Sequence, residues 1–288
     1  AYEDSPDLQS TLAQYAKLFD LDEIGEKVGY PLFMKPYDGG AWVGVTAIRD
    51  GEALHTAYDE SGTRLMHLQK GVIPHDAFIR CIGLGPQFRH VNYDPSAPLH
   101  DRYRMDSEIL SDADKEMLSN MTMVINAFFG WDFNSCEALR SNGLWQPIDF
   151  ANACPDSQVT SLHFHFPWLI KANIRWSVFC AATDRSMHAN LGWEQYFRIA
   201  DTDQPFEDKL TEYAKLAKTY FEFDKFEAFC AEHLAHLDEV AYEFFGKDIV
   251  LDAIRQKVAA LYPEHEHEEF TELFWDRIQE WRRLEGSG

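Results

Sequence analysis

Phe33-Met34-Lys35-Pro36-Tyr37-Asp38-Gly39-Gly40-Ala41-Trp42-Val43-Gly44-Val45 is an apolar run that ends on a lysine, turns through glycines and resumes as apolar sequence. The pattern predicts strand, glycine-rich turn, strand. Glycines let backbone N–H groups approach a ligand closely, and a neighbouring lysine adds a point charge. Such a turn suits a polyphosphate, and the same residues also make an ordinary hairpin.

Upstream, Leu8, Leu12, Tyr15, Ala16, Phe19 and Ile24 recur at helical spacing before Gly29-Tyr30-Pro31, predicting an amphipathic opening helix over 8–28. Downstream, extended runs at 32–34, 42–48, 65–69, 77–84 and 87–93 are separated by Gly, Pro and Asp turns and read as an antiparallel sheet. A helix is expected over 111–128, capped by Ser111, with Asp112 and Asp114 where a carboxylate suits the helix dipole. Two further strands, 132–139 and 144–151, flank the turn Ser141-Asn142-Gly143. From 158 onward helical patterns occupy 166–182, 205–220, 223–245, 247–261 and 267–283, broken at Pro205, Gly246 and Pro263. The expected class is α+β: an opening helix and small subdomain over 1–75, a second subdomain over 76–200, and an acidic all-helical region over 201–288.

The hairpin carries the second informative stretch, Asp132-Phe133-Asn134-Ser135-Cys136-Glu137 and, past the turn, Pro147-Ile148-Asp149-Phe150-Ala151-Asn152. Pairing across Asn142-Gly143 brings Glu137 and Asp149 together. Two carboxylates and an amide oxygen make a hard oxygen site suited to Mg²⁺. An exposed hairpin with ordinary surface acids has the same sequence.

Composition narrows the field. With 45% hydrophobic residues the chain of 288 buries a substantial core, which excludes general disorder. Lys+Arg 26 against Asp+Glu 48 gives a formal charge of -22, which repels a nucleic-acid backbone, so a phosphate site must be a local exception. Five cysteines without a CxxC pair suggest neither a disulfide framework nor a thiolate zinc site. No apolar stretch is long enough to span a bilayer, and a cytoplasmic, membrane-free protein is expected.

Taken in order, these pieces resemble the ATP-grasp superfamily, of the glutathione synthetase ATP-binding type, from about Lys17 to Asn152. The pattern is nearest to the carboxylate-amine ligases that add glutamate to a ribosomal protein. The resemblance implies two α+β subdomains clamping Mg-ATP, with Mn²⁺ an acceptable substitute for Mg²⁺, followed here by the helical region. Lys35 matches the strand lysine, Gly39, Gly40 and Gly44 the flap, and His67-Leu68-Gln69-Lys70-Gly71-Val72 the hinge, so that Gln69, Lys70 and Val72 are expected at the nucleotide. Asp76 lies where a ribose-binding acid is expected, and Arg80 matches an arginine that reaches toward the γ-phosphate or acyl phosphate. Glu137, Asp149 and Asn152 resemble the metal-binding acids and terminal asparagine. Family members place that asparagine two residues after the last acid; here the interval is three, which requires a bulge at Phe150-Ala151. Members also carry a preceding α/β domain, implying a missing N-terminal domain or protein partner, or else a reduced form in which Lys17 or Lys27 substitutes for an earlier lysine.

Other residues have plainer roles. His163-Phe164-His165 has the spacing of two side chains on one strand face, and a structural or substrate-facing role is expected. Lys171 and Arg175, four apart on a predicted helix, suit either an anionic substrate or a solvated face.

The resemblance implies a Mg-ATP-dependent ligase that activates a small-molecule or peptide carboxylate as an acyl phosphate for attack by an amine, with Lys35 and Arg80 stabilising charge. The alternatives are a nucleotide-binding or scaffold module without turnover, and a small-molecule kinase. Lys35→Ala is expected to weaken ATP binding, with the loss shrinking at high salt, as titration calorimetry would show; unchanged affinity contradicts the assignment.

Overall fold

Leu32, Met34 and Pro36 are buried while Phe33 and Lys35 between them are only partly covered, the period-two signature of a strand with one face on a core. The computed structural model describes residues 20–39, 43–106 and 109–285. The chain divides into two units, residues 1–75 and 76–288.

In the first unit, α1 (Leu21–Val28) starts at Asp20, whose carboxylate accepts from the Asp22 and Glu23 amides at 3.0 and 3.1 Å. The part of the expected opening helix before residue 20 lies outside the described residues. Strands β1 (Leu32–Pro36), β2 (Thr46–Ile48) and β3 (Met66–Lys70) form an antiparallel sheet in the order β2-β1-β3. Between β2 and β3 lies α2 (Gly51–Glu60), a helix for which the sequence reading has no counterpart. Its signals are present: Asp50 accepts from the Ala53 amide at 2.9 Å, and Leu54 and Ala57 point inward one turn apart. Leu32, Met34, Ile48, Leu54 and Ala57 form the core.

The second unit holds its own sheet. β4 (Ala77–Leu84), β5 (Gln87–Asn92), β6 (Phe133–Ser141) and β7 (Leu144–Ala153) are antiparallel in the order β5-β4-β6-β7. Asn142 and Gly143 both have positive φ, 52° and 74°, the geometry that joins β6 to β7 without splaying them. Against one face packs α3 (Asp112–Phe129), burying Leu118 and Met121 on Ala77, Ile79, Cys81, Ala138 and Trp145. α3 begins as expected at Ser111, in a reciprocal capping box with Asp114.

Helices follow: α4 (Val159–Leu162), α5 (Phe166–Ala182), α6 (Trp193–Ala200), α7 (Phe206–Tyr220), α8 (Phe223–His233), α9 (Leu237–Phe244), α10 (Asp248–Leu261) and α11 (His267–Leu284). The pattern expected as one helix over 223–245 is two. The break lets Phe226 of α8 pack on Trp176 and Phe179, while Phe245, just past α9, joins Phe274, Ile278 and Trp281. Among the described residues no helix is long and apolar enough to cross a membrane.

Asp114 ties this unit together. Its carboxylate accepts from Trp145 Nε1 at 2.7 Å, from Ser111 and from Arg140 Nη1 at 3.3 Å. Burial alone would raise its pKa, but those bonds outweigh burial and hold it below the ordinary carboxylate range. Since the folded-state pKa lies under the unfolded one, this stabilisation is complete above about pH 4 and fades as the pH falls below that. Asp114→Asn should therefore flatten the acid limb of stability, measured by urea unfolding between about pH 3 and about pH 6; an unchanged limb contradicts this role.

Candidate active site

Strand alternation sorts the side chains of the second sheet onto two faces. Ala77, Ile79 and Cys81 face α3, so Phe78, Arg80 and Ile82 face the other way. Arg80 registers with Glu137 across β4 and β6, and Glu137 registers with Asp149 across β6 and β7. The three residues thus share a row on the face away from α3.

Arg80 and Glu137 form a buried ion pair, with side chains 15% and 8% exposed. Arg80 Nε donates to Glu137 Oε1 at 3.0 Å, Nη2 donates to the same oxygen, and Nη1 donates to the Tyr103 hydroxyl. The guanidinium carbon lies 5.0 Å from the Tyr93 ring centroid and 5.4 Å from that of Tyr103. Burial by itself would lower the arginine pKa, but Glu137 and Tyr103 raise it on balance, and Arg80 stays charged. Burial pushes the Tyr103 hydroxyl up to about 12, so it is neutral and free to accept. The tyrosines meet because the chain after β5 folds back: Tyr93 and Tyr103 bridge, and the Arg104 amide donates to the Asn92 carbonyl at 2.9 Å. No spacing in the sequence announces that contact.

β7 carries the expected bulge. Ser135 pairs with Asn152 and Glu137 with Asp149, so two steps along β6 oppose three along β7, and the extra residue falls at Phe150-Ala151. A second irregularity, with Ala138 opposite Pro147, places another extra residue at Ile148. Asn152 Nδ2 donates to Ser135 Oγ at 2.8 Å, which orients its amide. Asp149 is exposed. Glu137, Asp149 and Asn152 are all oxygen donors, a set that fits Mg²⁺ by its chemistry, with Arg80 already on one oxygen of Glu137. Among the described residues no group of three or more His, Cys, Asp and Glu could hold a metal, so an ion here would rest on two acids and an amide.

In the first unit, Phe33 and Lys35 lie on the sheet face away from the core, opposite Gln69 and His67 of β3. Gly39 donates to the Pro36 carbonyl at 3.3 Å, Lys70 ends β3, and the Val72 carbonyl is within 3.1 Å of His75 Nδ1. Gly44 is described and exposed, whereas Gly40, Ala41 and Trp42 lie outside the described residues. Asp76 begins the second unit, where its carboxylate accepts from Arg140 Nε at 3.0 Å.

Two readings need correction. His163 and His165 lie in a 3-10 turn, not a strand, and both are buried. His165 Nδ1 accepts from Arg89 Nε at 2.9 Å and Nε2 lies 2.8 Å from the Arg104 carbonyl, the pattern of a neutral ring. Burial pushes its pKa down to about 3 and that of His163 to about 2. Lys171 and Arg175 are not a solvated face: both bind Asp238 of α9, at 2.7 and 3.0 Å, and so pin α9 to α5.

The ion pair gives a stability prediction. Arg80→Ala strands a buried carboxylate and should cost about 3–5 kcal/mol in urea unfolding, and adding Glu137→Gln should recover a large part. Equal losses in the single and double variants would show that packing, not charge pairing, sets the effect.

Comparison with known proteins follows this geometry. No family model matches the chain. A stretch of 66 residues is 36% identical to a D-alanine–D-alanine ligase of Dechloromonas aromatica (strain RCB), covering 22% of this chain and 22% of that protein. The chain therefore spans about a fifth of the length of the curated relative it matches. A solved structure, the biotin carboxylase domain of the Hydrogenobacter thermophilus 2-oxoglutarate carboxylase with MgADP, ADP and bicarbonate, aligns at 20% identity and a TM-score of 0.37. That alignment covers 46% of this chain and 32% of that one. Over that stretch the chain is similar to a D-alanine–D-alanine ligase.

Proposed function

We propose that this protein is an ATP-dependent ligase that activates a carboxylate as an acyl phosphate for attack by an amine or a similar nucleophile. The observation that carries the reading is the row Arg80, Glu137 and Asp149, with Asn152 past the bulge of β7, on one face of the second sheet, a cation beside hard oxygen donors on a chain of net charge -22. The 66-residue likeness to a D-alanine–D-alanine ligase, which joins two amino acids, supports the same class.

In this reading the face of the first sheet away from its core offers Lys35 and Gln69 to the nucleotide, with Gly39, Gly40 and Gly44 as the flap and Lys70, Val72 and Asp76 at its adenine and ribose. Glu137, Asp149 and Asn152 would hold Mg²⁺, which when bound supplies charge neutralisation for phosphoryl transfer. Arg80, fixed between Tyr93 and Tyr103, stabilises the acyl phosphate electrostatically. No side chain needs to act as a nucleophile, because phosphoryl transfer depends on position and charge. Acceptor and nucleophile would be a small molecule or a peptide.

One observation favours the second reading, a nucleotide-binding module without turnover. Arg80 already compensates Glu137, which weakens that acid as a metal ligand.

Release of ADP and phosphate from Mg-ATP across a metabolite library separates the two. Turnover with any carboxylate supports the ligase, and saturable ATP binding without turnover supports the module. In the ligase, Asp149→Asn should lower kcat by at least about a hundredfold while ATP affinity changes by less than about threefold, since metal neutralises charge that develops in the transition state. Unchanged turnover and metal dependence in that variant would place the catalytic metal elsewhere.

A further inference from the structure

The bulge that brings Asn152 alongside Ser135 is held by a residue with no place in the site described so far. Asn134 of β6 is fully buried. Its Nδ2 donates to the Phe150 carbonyl at 3.0 Å, and its Oδ1 accepts from the Asn152 amide at 3.0 Å. One side chain thus bonds both sides of the extra residue in β7. The second proton of Nδ2 goes to Asn126 Oδ1 of α3 at 2.8 Å, in a bond between two fully buried amides. Only a neutral primary amide donates twice and accepts once in this arrangement. Aspartate at 134 keeps the acceptor and loses both donors, and leucine loses all three.

The neighbouring strand makes the clasp possible. Gly83 of β4 is the register partner of Asn134, and a Cβ at Gly83 would lie 2.7 Å from Asn126 Nδ2. A missing side chain on β4 leaves room for the Asn126 amide to reach β6.

We infer that Asn134, anchored by Asn126, is a positioning residue for the cation site: it sets the bulge of β7 and thereby the placement of Asn152 and Asp149 on the face away from α3. The inference rests on the metal reading given above. Asn134 touches neither substrate nor ion. It acts through the backbone on either side of Ala151, as buried outer partners orient the ligands of a metal site.

The test uses the full chain, Mn²⁺ as the probe read by water-proton relaxation in the presence of ADP, and ADP affinity without metal measured separately by calorimetry. Asn134→Asp and Gly83→Ala should each weaken Mn²⁺ binding by about tenfold or more while metal-free ADP affinity stays within about twofold. Val250→Ala, in the separate helical core cluster, is the control for lost stability and should leave Mn²⁺ affinity unchanged at the same folded fraction. Parent-like Mn²⁺ affinity in both variants overturns the positioning role, and so does an equal loss in the control. If the parent chain itself shows no Mn²⁺ site that Asp149→Asn removes, the metal reading falls first and the role of Asn134 falls with it.

Discussion

The second unit is organised around one buried ion pair, Arg80 with Glu137, on the face of its sheet away from α3. Charges leave water only when their partners and hydrogen bonds are in place, because the attraction between them has to offset the lost hydration. That requirement accounts for much of the surrounding structure. The β4–β6 register puts the two side chains opposite each other, and the fold-back after β5 delivers one tyrosine hydroxyl and two ring faces to the guanidinium.

The pair also bears on chemistry. An acid held by a cation is in position but electrically compensated, so a divalent ion arriving at Glu137 must share that carboxylate with Arg80 or displace it. The strongly acidic surface makes such local cations more conspicuous, since an anionic nucleotide meets attraction only where lysine or arginine interrupts the negative field.

Much of the architecture was legible because it follows local rules. Ser111 with Asp114, the turn Asn142-Gly143, the strand 77–84 and the helix 166–182 rest on a cap, a positive-φ turn and simple periodicity, and all four are present. The three-residue interval from Asp149 to Asn152 even announced its bulge, because one extra residue has to be absorbed for both to share a face. What escaped was non-local or weakly patterned. The helix Gly51–Glu60 is short and polar, with only Leu54 and Ala57 buried, so its periodicity is faint. The second irregularity at Ile148, the tyrosines around Arg80 and the amide clasp of Asn134 depend on pairings between strands and loops distant in sequence. His163 and His165 misled because an i, i+2 spacing has the look of a strand, while the chain there makes a tight turn and buries both rings.

The central claim is that Glu137, Asp149 and Asn152 together take the cation of a bound nucleotide. Crystals of the full chain grown with Mn²⁺ and ADP, measured at a wavelength where manganese scatters anomalously, locate that ion directly. The account predicts an anomalous peak within coordination distance of the Glu137 and Asp149 carboxylates, on the face of the sheet away from α3. A peak bound to other residues, with these carboxylates still held as they are without the ion, would contradict it.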